Sequence, residues 1–312
     1  MDFRRFVVMV AVLVMGCASV SAPRGTANVP PALQNDVFTT RDGISLPLRR
    51  WDAQGKPRAV IVALHGMNDY SNALDAPAKI WAKDGITTLA YDQRGFGRGP
   101  NPGLWAGGDA LRQDFTDFLA VARARYPGVP LFALGESMGG AVILTAMTEP
   151  NPLLAKLDGV ILVSPAVWSR ADMPLTYRLA LFLGAHLVPG MIVSGSGLKI
   201  VPSDNIPMLR ALSRDPYVLK QNRVDAVYGL VNLMDEARQA PAHLSATPPI
   251  LLLTGKNDPI IPRAPTEAVI AALDGRATVK TYEKGYHMLL RDLEGPQVAQ
   301  DVARWIAQRT GD

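Results

Sequence analysis

Hydrophobic residues along this chain fall into short runs. These runs are separated by polar turns that contain Gly and Pro. Residues 37–40 and 44–51 flank Asp42-Gly43, a pair typical of hairpin turns, and predict two antiparallel strands. The next run, over 59–64, is continuously apolar, as expected for a strand buried on both faces of a sheet, and further strands follow it. These predicted strands span residues 59–64, 86–91, 131–135, 160–163, 250–254 and 278–282.

Helical periodicity separates most of these strands. The clearest helix is predicted over 109–126, where Leu111, Phe115 and Phe118 share one side. Repeated strand–helix units predict an α/β fold with a mostly parallel central sheet and helices on both faces. Further helices are predicted over residues 73–83, 138–147, 266–273 and 297–309.

The alternation stops between Pro165 and Pro249, where helical patterns occur without a clear buried strand. We therefore predict a helical cap over 168–245, inserted between a first core part (36–167) and a second (246–312). In open α/β sheets, ligands bind at the carboxyl edge of the strands, and the insertion would lie above that edge. The apolar stretches 179–183 and 187–193 could line a ligand pocket, dock on a membrane or pack against the sheet domain.

Composition narrows the class of partner. A chain of 312 residues that is 48% hydrophobic can build one large core with a modest insertion. The formal net charge of +4 is small, and no dense basic run with interleaved aromatic residues occurs, so no nucleic-acid partner is predicted. The single cysteine, Cys17, excludes an intramolecular disulfide and a Cys-based metal cluster. We expect no metal and no organic cofactor.

The N-terminus has the pattern of a signal peptide, predicted over residues 1–22. Arg4 and Arg5 precede an apolar run over 6–15, which as a helix spans about 15 Å, roughly half of a bilayer's hydrocarbon core. A small-residue segment follows, as in cleaved secretory leaders. A permanent transmembrane helix is the less favoured alternative, because the run is short.

The end of this run resembles the box at which bacterial lipoproteins are cleaved and acylated. Val14-Met15-Gly16-Cys17 matches it except that Leu is commoner than Val in the first position. We expect cleavage before Cys17, lipidation of its thiol, and anchoring to a membrane of the bacterial cell envelope. Residues 23–35 then read as a flexible tether. The alternative is ordinary cleavage after Ala22, which would give a secreted or periplasmic protein.

The strongest chemical motif is Gly135-Glu136-Ser137-Met138-Gly139, between a predicted strand and a predicted helix. This is the strand–turn–helix context of a G-x-S-x-G nucleophile elbow, in which Gly135 and Gly139 are needed because a Cβ would clash. Ser137 is the predicted nucleophile. The alternative is a structural joint with an incidental serine.

The acid and the base should follow later strands, in the order serine, acid, histidine. His287 is the last of four histidines and follows the final strand, so it is the predicted base. Asp258 lies just beyond the strand 250–254 and would hold the imidazole. Glu283 is a less favoured substitute for Asp258.

An oxyanion hole requires two backbone N–H donors. The first should be the amide of Met138, directly after the nucleophile. The second should come from the loop after the strand 59–64, and Met67 is our choice. We expect His65, at the start of this loop, to shape it rather than to act as a base.

These residues together resemble the monoacylglycerol lipase and lysophospholipase branch of the α/β-hydrolases, from about Val37 to Ala307. The resemblance implies an α/β-hydrolase fold with a helical cap between the sixth and seventh sheet strands. One departure is Glu136, where the family commonly has His; this carboxylate could raise local proton affinity or hydrogen-bond a neighbouring strand. The resemblance rests on residues 65–71, on the D-x-R-G-x-G-like loop 91–99 that shapes the site, on the serine elbow and on residues 285–287.

Three functions follow as hypotheses. The first is a serine carboxylic-ester hydrolase that acts through an acyl-enzyme on lipid-like esters such as monoacylglycerols or lysophospholipids. The second is a short-chain or aryl esterase, or an amidase, with the same three side chains. The third is a lipid-anchored binding protein that keeps the fold without catalysis.

Overall fold

The computed structural model describes residues 19–195 and 200–311. Residues 1–18 of the predicted leader, including Cys17, lie outside the described residues. Among the described residues, no helix is both long enough and apolar enough to cross a bilayer.

The core of the fold is a nine-stranded sheet. Its strands are β1 (Ala32–Gln34), β2 (Val37–Thr39), β3 (Ser45–Trp51), β4 (Ala59–Leu64), β5 (Ile86–Tyr91), β6 (Leu131–Glu136), β7 (Gly159–Val163), β10 (Ile250–Gly255) and β11 (Ala277–Tyr282), while β8 (Ile192–Val193) and β9 (Asn222–Arg223) form a separate ribbon. The strand order in the sheet is β1-β2-β3-β5-β4-β6-β7-β10-β11. From β5 to β11 all neighbours pair in parallel, whereas β1, β2 and β3 form an antiparallel edge. This confirms the predicted hairpin and the mostly parallel sheet.

Helices cover both faces of the sheet, so β4, β5, β6 and β7 are buried along their whole lengths. On one face Val60 and Val62 pack with Phe115; on the other Ile61 packs with Trp81. The helices are α1 (Asp75–Lys83), α2 (Gly108–Arg125), α3 (Met138–Ala146), α4 (Pro152–Ala155), α5 (Leu175–Leu187), α6 (Ile206–Arg214), α7 (Val224–Gln239), α8 (Arg263–Ala272) and α9 (Gly295–Thr310).

The cap lies between β7 and β10, which are the sixth and seventh sheet strands counted from β2. It contains α5, α6, α7 and the β8–β9 ribbon. Only α7 buries a substantial face, and its Gly229 lies against the ring of Trp105. In the two apolar stretches of the cap, 179–183 and 187–193, most of the large side chains are exposed, although Leu181 packs on the core. The exposed ones are Leu179, Phe182, Leu183, Leu187, Val188, Met191 and Ile192.

The N-terminal segment differs from the flexible tether predicted over 23–35. Residues Ala32–Gln34 form β1 on the free edge of β2, and the Val29 N–H donates to the Arg41 carbonyl over 2.9 Å. Its composition favours a flexible linker, but the exposed strand edge offers backbone partners that any non-proline residue can use.

Candidate active site

Ser137 lies at the sharp joint between β6 and α3. Its φ of +53° is in the left-handed region, which costs a non-glycine residue about 1–3 kcal/mol. The turn is held by the Ser137 N–H, which donates to the Val163 carbonyl over 2.9 Å. A Cβ on Gly135 would lie 2.5 Å from the Gly140 nitrogen, and one on Gly139 would overlap the Leu64 carbonyl. The two flanking glycines therefore occupy positions where a side chain does not fit, as the motif predicts.

The predicted acid and base meet Ser137 at the carboxyl edge of the sheet. Asp258 follows β10 and His287 follows β11, and both strands run parallel to β6. His287 Nε2 lies 3.0 Å from Ser137 Oγ, and His287 Nδ1 lies 2.8 Å from Asp258 Oδ2. We call these three residues the triad.

The hydrogen bonds around Asp258 orient the imidazole. Asp258 Oδ1 accepts the backbone N–H groups of Ile260 (2.8 Å) and Ile261 (3.0 Å), which leaves Oδ2 to accept the Nδ1–H of His287. Nε2 then presents its lone pair to the Ser137 hydroxyl, the arrangement that a general base needs. The alternative acid, Glu283, instead pairs with Lys256 at 2.7 Å.

The loop after β4 lies directly beside the nucleophile. A Cβ on Gly66 would come within 3.2 Å of the Ser137 Cβ, so Met67 follows a backbone position in contact with the elbow. Met138 is the first residue of α3, where helical N–H groups have no acceptor in a preceding turn. The amides of Met67 and Met138 are the expected oxyanion donors. Met138 directly follows Ser137, and Met67 follows Gly66, which lies beside Ser137, as that role requires.

His65 shapes this loop from inside the core. It is fully buried, its Nδ1–H donates to the Gly66 carbonyl over 2.8 Å, and its Nε2 accepts the Gln93 N–H over 2.9 Å. Burial lowers the pKa of His65, and an Nε2 that accepts an N–H is the pattern of a neutral ring. Gln93 belongs to the loop 91–99, which is thereby joined to the loop after β4.

The side chain of Glu136 forms no hydrogen bond to a neighbouring strand. Among the described residues both carboxylate oxygens lack a hydrogen-bond partner, and the group facing them is Arg291, with Nη2 at 3.6 Å from Oε2. Of the two alternatives that the sequence left open for Glu136, the hydrogen bond to a neighbouring strand is therefore not formed. Burial raises the pKa of Glu136, which agrees with a higher local proton affinity. Sequence reasoning missed Arg291; a charged residue shortly after the predicted base was the available signal.

No group of three or more His, Asp or Glu side chains within residues 19–195 and 200–311 has the geometry of a metal site. The chemistry that this site can support is acyl transfer by a base-activated serine. The elbow, the hydrogen-bonded triad and the capped parallel sheet define a serine hydrolase of the α/β-hydrolase fold.

Comparisons with known proteins place the chain more closely. The family described as "Serine aminopeptidase, S33" (Hydrolase_4) matches residues 55–294, and the chain belongs to it. The chain is 27% identical over 297 residues to human monoglyceride lipase, covering 93% of this chain and 96% of that protein. It is 26% identical over 290 residues to a monoacylglycerol lipase of Mycolicibacterium smegmatis, covering 86% and 95%.

The fold comparison agrees. A soluble variant of monoglyceride lipase from Saccharomyces cerevisiae, solved with a substrate analogue, superposes with a TM-score of 0.74 at 19% identity, covering 93% of this chain and 99% of that one. A monoacylglycerol lipase from Paleococcus ferrophilus gives a TM-score of 0.70 at 19% identity, covering 85% and 99%. These similarities confirm the predicted α/β-hydrolase fold.

Proposed function

We propose that the protein is a serine carboxylic-ester hydrolase that acts on lipid-like esters, such as monoacylglycerols or lysophospholipids, through an acyl-enzyme. The observation that carries this proposal is the unbroken hydrogen-bond chain from Asp258 through His287 to Ser137. Monoglyceride lipases among the relatives support the substrate class.

The reaction follows from the positions of the three side chains. Ser137 Oγ attacks the ester carbonyl carbon while its proton passes to His287 Nε2, and Asp258 stabilises the imidazolium that forms. The Met67 and Met138 amides bind the oxyanion. When the tetrahedral intermediate collapses, the C–O bond to the alcohol breaks and His287 returns the proton to the departing oxygen. A water molecule then gives a proton to His287 and attacks the acyl carbon. The bond from that carbon to Ser137 Oγ breaks, and His287 returns the proton to Oγ as the acid leaves.

The surface of the cap supports a lipid-like substrate. Helix α5 has no buried residue, although its sequence is largely apolar. Leu179, Phe182 and Leu187 are each more than half exposed. Contiguous exposed apolar surface of this kind marks a binding site or a membrane contact. We propose that α5 receives acyl chains or rests on the lipid that supplies them.

We also propose that the chain is cleaved before Cys17, lipidated there and held on a membrane of the cell envelope. The packing of residues 20–22 supports this site over cleavage after Ala22. The Val20 N–H donates to Asp225 Oδ2 over 3.1 Å, and the Ala22 N–H donates to the Trp105 carbonyl over 2.9 Å. Cleavage after Ala22 would remove both contacts, whereas cleavage before Cys17 keeps them.

The test of the enzyme proposal is hydrolysis of monoacylglycerol, lysophospholipid and p-nitrophenyl ester series of increasing acyl length. We expect longer acyl chains to be preferred, and Ser137→Ala to lower kcat by on the order of 10⁵-fold or more. A preference for two-carbon over ten-carbon chains would instead support the short-chain esterase, and cleavage of amides alone an amidase. Failure of the wild type to react with a fluorophosphonate would favour the non-catalytic binding protein.

The test of the anchor is separate. We expect Cys17→Ala to leave the membrane fraction, while the wild type stays in it and shows the mass of an acylated N-terminal cysteine. A mature wild-type protein that begins at Pro23 would contradict the proposal.

A further inference from the structure

Behind the triad lie three charged side chains that take no part in its hydrogen-bond chain: Asp69, Glu136 and Arg291, which we call the buried ion cluster. Their side chains are 7%, 3% and 9% exposed. Arg291 Nη1 lies 2.7 Å from Asp69 Oδ2, and Arg291 Nη2 lies 3.6 Å from Glu136 Oε2. One guanidinium therefore contacts two carboxylates.

The three residues lie next to the three segments that carry the proposed chemistry. Asp69 is two residues after Met67 in the loop that follows β4, and Glu136 directly precedes Ser137. Arg291 is four residues after His287 in the loop that follows β11. Glu136 is the last residue of β6 and still pairs with Val163 of β7, whereas the pairing of β4 and β11 ends before Asp69 and Arg291 are reached. The buried ion cluster thus links the end of β6 to two loops that lie beyond the strand pairing.

Both ends of the close pair are fixed to the backbone. Asp69 Oδ1 accepts the Tyr70 N–H over 2.9 Å. The Arg291 N–H donates to the Met288 carbonyl over 2.7 Å, and the Arg291 carbonyl accepts from Asn205 Nδ2 over 2.9 Å. A shift of either loop would therefore stretch the pair, since neither side chain can follow freely.

The charges of the cluster depend on one another. Burial alone would lower the pKa of Arg291, but Asp69 and Glu136 raise it above its ordinary value, so the guanidinium stays charged. Glu136 faces Arg291, Asp69, His287 and Asp292, and burial is the main cause of its raised pKa. Removal of the cation would leave two buried carboxylates without compensation.

We propose that Arg291 is a positioning residue, which ties the oxyanion loop and the nucleophile elbow to the loop of His287. It contacts neither substrate nor reacting atoms; it keeps the Met67 amide, Ser137 Oγ and His287 Nε2 in their relative places. The proposal rests on the proposed catalytic roles of these groups.

The first variant is Arg291→Lys, which keeps the charge and loses the planar fork that contacts two carboxylates at once. We expect kcat per active site to fall about 10–100-fold, with KM within about twofold, because displacement of reacting groups by about 1 Å costs about that much. Activity is measured on a soluble p-nitrophenyl ester and normalised to the sites that a fluorophosphonate titrates. The matched control is Arg41→Lys, which breaks a bidentate pair with Asp117 away from the triad and should leave kcat unchanged.

A merely structural role predicts a different result. The unfolding temperature of Arg291→Lys would fall, but each titrated site would turn over as in the wild type, and that outcome would overturn the proposal. Absence of fluorophosphonate labelling in the wild type would overturn the proposed function, and this inference with it.

A second pair of variants keeps the test valid if a single change destabilises the fold. The triple variant Asp69→Asn/Glu136→Gln/Arg291→Met removes every charge of the cluster, and we expect it to be more stable than Arg291→Met but equally slow. In Arg291→Met alone, activity should fall further as pH rises, because burial raises the pKa of Glu136 and this carboxyl then gains its charge with no cation beside it. The triple variant should lack this decline. Recovery of wild-type kcat in the triple variant would show that the buried ion cluster does not position the reacting groups.

Discussion

The sheet domain and the cap are both rich in apolar residues, yet they use them in opposite ways. The strands β4, β5, β6 and β7 have no exposed residue, whereas α5 and α6 in the cap have no buried one. Of the cap helices α5, α6 and α7, only α7 has a substantial buried face. Apolar side chains therefore build a rigid frame for the triad in one region and an accessible apolar surface in the other.

The same contrast appears in the glycines. Gly139 in the elbow has no room for a Cβ. Gly195 in the cap has no left-handed φ, and no atom of the described residues lies within 4 Å of the place where its Cβ would be. A frame that positions reacting atoms to within fractions of an ångström tolerates little change, and an exposed surface tolerates much more. The following predictions test this contrast, from the largest expected effect to the smallest.

Gly139→Ala should have the largest effect, because the new Cβ would overlap the backbone of Leu64 in β4. We expect the free energy of unfolding to fall by at least about 3 kcal/mol, with loss of fluorophosphonate labelling in whatever folds. Denaturant unfolding and labelling measure both. Gly195→Ala is the control and should change stability by no more than about 0.5 kcal/mol. Equal stability of the two variants would contradict the contrast.

Gly229→Ala tests the attachment of the cap. Its Cβ would meet the Trp105 ring, so α7 must shift away from the core. We expect a loss of about 1–3 kcal/mol in the free energy of unfolding and faster proteolysis within the cap. If the protease cuts the variant and the wild type at the same rate, α7 is not what holds the cap.

Leu179→Ser/Phe182→Ser tests the exposed apolar face of α5. Because both side chains are exposed, stability should change by less than about 1 kcal/mol. We expect turnover of long-chain monoacylglycerol in vesicles to fall about tenfold, and turnover of a soluble short-chain ester to stay the same. Equal losses on both substrates would place the effect in the triad rather than in lipid binding.

Asp42→Asn should have the smallest effect, and it concerns pH. The Arg94 guanidinium holds the pKa of Asp42 well below its usual range. A carboxyl with a lowered pKa stabilises the fold at neutral pH, and this contribution is lost as pH falls below about 4. The variant should lose about 1 kcal/mol or less at pH 7 and show a flatter acid limb. Asp36→Asn, at an exposed position, is the control, and an unchanged acid limb in Asp42→Asn would contradict the prediction.

Much of the frame was predictable because its signals are local. Continuous apolar runs located the central strands to within a residue or two, and the glycine spacing around Ser137 located the elbow. The order serine, acid, histidine then selected Asp258 and His287, which the structure brings within hydrogen-bonding distance.

Other features were not predictable, since their partners are distant in the chain. Strand β1 exists because β2 leaves a free edge, which the composition of residues 23–35 does not reveal. The pairing of Arg291 with Asp69 joins residues more than two hundred positions apart. Periodicity likewise showed that α5 is apolar, but not that its surface remains uncovered.

By itself the sequence determined the α/β class, the chain order of the triad and the place of the inserted cap, because hydrophobic period and turn chemistry act between near neighbours. Tertiary structure alone decided which charges meet behind Ser137, where the segment after the leader packs, and which apolar face stays open. Those outcomes depend on contacts between remote segments, whose energies exist only once the sheet has brought the segments together.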